Sequence, residues 1–183
     1  KAVERERSRV GTGDECGLVF AGFASFLDPP KAGAADAIRA LAQSGVAVNV
    51  LTGDNELVTR HVCATLGLPV RGTMTGSEID ALDDAALRAR VERANLYCRV
   101  SPAQKSRVIL ALKARGEVVG YLGDGINDAP ALRVADVGIS VDRAVDVAKA
   151  AADLILRKRD LRVLHDGVLE GRHRRLTHRL SAP

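Results

Sequence analysis

An alternation constrains this chain more than any other feature. Short apolar, β-rich runs at residues 46–51, 96–100, 118–122, 137–141 and 154–156 are separated by segments in which apolar residues recur at helical spacing. Residues 34–43 carry such a stripe through Ile38 and Leu41, and 57–66 carry another through Leu57, Val58, His61, Val62 and Leu66. Strands of this length joined by helices form parallel pairs, because a parallel connection needs a crossover that a helix supplies. The expected fold class is therefore α/β, a doubly wound parallel sheet flanked by helices. Aromatic residues are only 3% and tryptophan is absent, so the core must be built from Ala, Val, Leu and Ile, which suits helices packed closely on such a sheet. At 183 residues the chain is long enough for one domain of this kind.

Local signals refine the reading. Residues 18–27 form an apolar run stopped by Asp28-Pro29-Pro30, read as a strand with a sharp exit. Ser44-Gly45 and Gly67 end two helices. Ser77 and Asp83 are read as helix N-caps, with Leu87 and Val91 as the apolar face behind them. Ser101-Pro102 opens a helix through Leu112, and a further helix starts at Ala144. Asn127 is expected to cap a helix with Pro130 in its first turn, where a missing N–H costs least.

Charge and cysteine usage exclude several classes. The net charge of +4 belongs to the tail: residues 157–179 hold eight Lys or Arg against three acids, whereas the rest has 19 basic and 20 acidic residues. A nucleic-acid-binding body is not implied. Cys16, Cys63 and Cys98 are far apart and form no metal-binding pair, so small buried thiols are expected. No apolar run reaches the roughly 18 residues that a membrane span requires. In the basic tail, Leu161, Val163, Leu164, Val168 and Leu169 can form a helix face, while His173 and His178, five apart, make a poor metal pair.

In doubly wound sheets ligands bind beyond the carboxyl ends of the strands. Three polar signals fall there. Thr52-Gly53-Asp54 follows the run at 46–51, Lys105 lies early in the helix after 96–100, and GDGINDAP at 123–130 follows 118–122. Each has a plain structural use. Thr52 and Asp54 can cap a helix, Lys105 can be a solvated helix lysine, Asp128 can be a first-turn acid, and Asp-Gly is a tight-turn signal. Together their chemistry is complementary. Carboxylates hold a hard Mg²⁺ ion, and hydroxyl, loop N–H and ammonium groups hold phosphoryl oxygens, which describes a phosphoryl-transfer site.

On these residues, Thr52-Gly53-Asp54, Lys105 in RVSPAQKSRV and GDGINDAPAL at 123–132, the chain resembles the phosphorylation domain of P-type ATPases, members of the haloacid dehalogenase superfamily. DPPK at 28–31 is similar to that family's hinge-side segment next to the nucleotide-binding domain. GFASFLDPPKAG, LTGDNELVTRHVC and the long stretch from GDGINDAPAL to Leu156 resemble the magnesium-transporting group of bacterial P-type ATPases. The resemblance implies Mg²⁺ and ATP as cofactors of the complete enzyme. Thr52 and Gly53 would bind the transferred phosphoryl group, Lys105 would neutralise it, and Asp124 and Asp128 would belong to the metal site. Asn127 and Asp128 would position phosphate, metal shell and attacking water, and Asp28 and Asp54 would orient nucleotide and hinge.

The family's phosphate acceptor, the aspartate of DKTGT, does not occur in this sequence, and DPPK lacks the Thr-Gly turn that would present Asp28 as a nucleophile. The resemblance thus implies a connector or the end of a nucleotide-binding domain at 1–14, a phosphorylation-domain core lacking the acceptor strand at 15–156, and a basic stalk-like helix at 157–183. Its partners would be ATP, the transported cation, and the nucleotide-binding and membrane domains absent here. The expected place is the cytosolic face of the cell membrane as part of the parent, with this segment soluble and inactive alone. Two alternatives stay open: a stand-alone phosphatase of the same superfamily using Asp28, or a non-catalytic interaction module whose basic tail meets anionic lipid, without specific nucleic-acid recognition.

Overall fold

The computed structural model describes residues 12, 16–22, 30–158 and 160–180. Asp28 and most of the 1–14 segment lie outside these residues. The chain runs α1 (Ala34–Gln43), β1 (Val50–Leu51), α2 (Glu56–Thr65), β2 (Thr73–Thr75), α3 (Gly76–Asp80), α4 (Asp84–Arg90), β3 (Leu96–Cys98), α5 (Pro102–Lys113), β4 (Gly120–Leu122), α6 (Ala129–Val134), β5 (Val137–Val141), α7 (Asp146–Ala151), β6 (Leu154–Leu156) and α8 (Arg162–Leu180). A single 3₁₀ turn, Ile126–Asp128, precedes α6. Among the described residues no helix is long and apolar enough to cross a membrane.

Every strand pair is parallel, as the alternation requires. The strands form two three-stranded ladders, β1-β3-β2 and β4-β5-β6, so among the described residues β1 and β4 are each hydrogen-bonded to a strand on one side only. The ladders share packing. Leu51 of β1 touches the cluster of Met74, Ile79, Leu87, Tyr97 and Val108 as well as that of Ile109, Tyr121, Ala131 and Leu132. Helix α5 joins the two, because Val108 serves one cluster and Ile109 the other.

Several expectations need correction. Residues 18–22 carry no strand, and Leu18, Val19 and Phe20 are exposed; the remainder of that run, 23–27, lies outside the described residues. An apolar run becomes a strand only where a neighbour completes its ladder. Ser77 is not a cap: Thr75 accepts the N–H of Glu78, and the Glu78 carboxylate accepts the N–H of Thr75, closing a capping box. Asp83 is the cap expected, accepting from Ala86 N–H at 2.7 Å. Asn127 lies inside the 3₁₀ turn and α6 begins at Ala129, with Pro130 in its first turn as expected.

Helix α8 forms within the basic tail and packs on α1. The junction is Ser44, the C-cap of α1. Its hydroxyl pairs with His165 Nε2 at 2.9 Å, and its carbonyl accepts the Arg172 guanidinium. A cation on a helix's last carbonyls satisfies acceptors that have no intrahelical partner.

Candidate functional site

Thr52-Gly53-Asp54 continues directly from β1. Its backbone is tied to the far end of β3: Thr52 N–H donates to Tyr97, Val100 N–H donates to Thr52, and Arg99 N–H donates to Asp54. Arg99 reaches that carbonyl with φ at 52°, the one non-glycine residue in the left-handed region among the described residues. Such backbone persists only where surrounding bonds over-determine it. Thr52 Oγ1 donates to Asp54 Oδ2 at 2.9 Å and accepts Asp54 N–H at 3.1 Å, so the two side chains are fixed on each other. Neither caps α2. Asn55 does, accepting Val58 N–H at 3.0 Å.

Lys105 sits in the first turn of α5, which Ser101 and Gln104 close with a reciprocal capping box and Pro102 initiates. Its ammonium donates to Asp128 Oδ1 at 2.7 Å, and the two side chains are only 12% and 13% exposed. The Asp128 carboxylate accepts three further bonds: from Tyr121 hydroxyl at 2.7 Å on Oδ1, and from the N–H groups of Gly125 at 3.1 Å and Asp124 at 3.3 Å on Oδ2. Burial pushes the Asp128 carboxyl up, but the bonds from Lys105, Tyr121 and Gly125 outweigh it and hold the group below the ordinary carboxylate value. For Tyr121, burial and then the bond to Asp128 push the phenol well above its ordinary value.

The glycine before the first acid has a steric purpose. A Cβ on Gly123 would lie 2.5 Å from Asp128 Cβ and 3.0 Å from Tyr121 Cε1, so only glycine lets strand and loop close on each other. Neither Gly123 nor Gly125 has a positive φ, so the plain turn explanation does not apply to them. Ser140, buried in β5, donates to Gly123 carbonyl at 2.9 Å and fastens the loop to the second ladder.

The structure therefore gathers Lys105 and Asp128 into one cluster beside Asp124, and holds Thr52, Gly53 and Asp54 as a second group. No hydrogen bond or ion pair links the two groups among the described residues. Asn127 is exposed on the 3₁₀ turn. Tyr121, Ser140 and Arg99 are the members that sequence reasoning missed. Tyr121 takes the inward position of β4, between exposed Gly120 and Leu122, and no sequence spacing marks the bond it makes to Asp128.

A magnesium ion takes oxygen ligands and keeps waters or phosphate oxygens beside one or two carboxylates. No group of three or more His, Cys, Asp or Glu is arranged to hold a metal by itself among the described residues. The exposed Asp124 carboxylate, beside a loop whose amides are already committed, fits as one such ligand with phosphoryl oxygens and water completing the shell. Asp128 could join it only by releasing a protein donor.

The sequence profile of haloacid dehalogenase-like hydrolases matches residues 10–136. The chain is 52% identical over 159 residues to a magnesium-transporting ATPase, P-type 1, of Salmonella typhimurium, and 51% identical to its Escherichia coli counterpart. It is 41% identical over 162 residues to a probable cation-transporting ATPase F of Mycobacterium tuberculosis. These alignments cover 87% of the chain for the first two and 85% for the third, and 18% of each relative. Among solved structures, a zinc-transporting PIB-type ATPase in its E2.Pi state aligns over 82% of the chain and 21% of its own length, with a TM-score of 0.62 at 27% identity. The catalytic domain of the CPx-ATPase CopB-B aligns over 75% of the chain and 44% of its own length, with a TM-score of 0.58 at 28% identity.

Proposed function

The chain belongs to the haloacid dehalogenase-like hydrolase family, and we propose that it supplies the magnesium- and phosphate-binding half of an aspartyl-phosphate site in a cation-transporting P-type ATPase whose cargo is magnesium. The carrying observation is the cluster at the end of β4, where Lys105 is held by Asp128 directly beside the exposed Asp124. The chain spans 18% of the length of the curated relatives it matches, so the acceptor, nucleotide-binding and transport functions belong in this reading to segments beyond it.

Lys105 has one ammonium proton committed to Asp128 and directs positive charge at the phosphoryl group. Gly53 N–H binds its oxygens from the other group, and Thr52 hydroxyl joins it by turning its one proton from Asp54 Oδ2 to the phosphoryl oxygen, while Thr52 Oγ1 keeps the N–H of Asp54 and stays in register. Asp124 would hold the Mg²⁺ ion, which when bound would neutralise charge on the phosphoryl oxygens. Asp128 holds Lys105 and the loop, and Asn127 orients water at the open side. Among the described residues β1 and β4 each pair on one side only, and Leu51 packs toward both ladders, so a parallel strand carrying the acceptor aspartate would find hydrogen-bonding partners between them. In the parent the chain stands at the cytosolic face of the membrane, with α8 leading toward it.

The test is complementation. The chain, mixed with a polypeptide carrying the DKTGT and nucleotide-binding segments of a magnesium-transporting relative, should restore hydroxylamine-sensitive labelling from ATP and Mg²⁺, and Asp124→Asn should abolish it. The chain alone should not label. Labelling of the chain by itself, or complementation indifferent to Asp124→Asn, overturns the reading.

A further inference from the structure

The Lys105–Asp128 pair is not closed, because a third group has a claim on it. Tyr121 hydroxyl and Lys105 ammonium both stand 2.7 Å from the same oxygen, Asp128 Oδ1, while Oδ2 is taken by the amides of Gly125 and Asp124. Two donors on one oxygen share its charge density, so each is bound less tightly than it would be alone. The arrangement is built. Tyr121 is 9% exposed, its ring closes against the site that only glycine at 123 leaves free, and its strand neighbours Gly120 and Leu122 face away. A phenylalanine would fill the same space, so packing does not explain the hydroxyl.

We propose that Tyr121 is a positioning residue that acts through Asp128, loosening the carboxylate's hold on Lys105 so that the ammonium is available to an incoming phosphoryl group. The proposal rests on the phosphoryl-site reading. It deepens that reading by making the cation's availability depend on a tyrosine hydroxyl that touches neither phosphate nor metal. With Tyr121 in place Asp128 orients Lys105 without neutralising it; without the hydroxyl, Oδ1 turns wholly to Lys105 and competes better with phosphate.

The experiment is a double-mutant cycle on the full chain: wild type, Tyr121→Phe, Asp128→Asn and the double variant. Proton exchange at the ¹⁵N-labelled Lys105 ammonium, assigned through Lys105→Arg, is read without ligand, and affinity for inorganic phosphate is read with Mg²⁺. Tyr121→Phe should slow ammonium exchange and weaken phosphate binding, each about three- to tenfold, the scale of one ordinary net hydrogen bond. In the Asp128→Asn background the same change should do nothing. Replacing both tyrosines by 3-fluorotyrosine, a stronger donor of nearly the same shape, should move exchange the opposite way and covers the case of a poorly folded Phe variant. Equal effects of Tyr121→Phe in both backgrounds, unchanged exchange, or a fluorotyrosine shift in the same direction as Phe overturns the proposal. Failure of the wild type to bind phosphate while the exchange cycle holds counts against the phosphoryl-site reading, and leaves the Tyr121–Asp128–Lys105 coupling established.

Discussion

Lys105 and Asp128, 23 residues apart in sequence, meet at 2.7 Å with both side chains nearly out of solvent. The contact joins α5 to the loop after β4. Removing the cation alone should leave a partly buried carboxylate with one donor fewer. Lys105→Met is therefore expected to cost roughly 1–3 kcal/mol in urea denaturation. Adding Asp128→Asn to it should recover part of that loss, since no charge is then stranded.

The same carboxylate ties stability to acid pH. Its folded value lies below that of an unfolded aspartate, so its contribution is complete above the ordinary carboxylate range and disappears as pH falls through the depressed folded value. Glu56, Asp136 and Asp160 titrate downward too, but at the surface. The difference between wild type and Asp128→Asn isolates the buried group. Thermal melts should show the two converging as pH falls from about 5 toward 2.

Gly123→Ala is expected to damage the site out of proportion to one methyl group. The new carbon would have to displace Asp128 and the Tyr121 ring together, an overpacking cost of about 1–3 kcal/mol. Circular dichroism melts should show the destabilisation, and complementation should fail. Gly53→Ala, where a Cβ meets nothing within 4 Å, should melt close to wild type.

The chain's two tyrosines, Tyr97 and Tyr121, are both buried, and tryptophan is absent, which makes the ultraviolet spectrum a clean reporter. Burial pushes Tyr97 up to about 12 and lifts Tyr121 as well. Because both folded values are raised, their contribution is intact below the ordinary phenol value of about 10 and is lost as pH rises beyond it. Tyrosinate absorbance should stay flat through pH 10 and then rise together with the loss of helical signal. A reversible step near pH 10 in the folded chain would contradict this.

What was legible in the sequence was periodic or local. The bounds of α1, β5 and β6 follow from apolar spacing and end residues, and the Asp83 cap follows from one side chain and the amides beside it. What was not legible depended on distant partners. The run at 18–22 has strand composition but no described ladder, and Asn127 lost its expected capping place because Asp128 reaches back to Gly125 and tightens the chain into a 3₁₀ turn. Within the site, Thr52, Asp54, Lys105 and Asp128 stood out by residue type and strand-end position. Tyr121 did not, since its role comes from a bond across the Gly123 gap that no spacing rule encodes.

The seam at Ser44 also sets an order of events. Its two partners lie 121 and 128 residues further along, so the lock between α1 and α8 cannot close until residue 172 has emerged from the ribosome. Both ladders can assemble before then, because their six strands, β1 to β6, all precede residue 157. The bonds at this seam thus fasten the earliest described helix to the latest, and in the growing chain the end of α1 stays unlocked while both ladders are free to assemble.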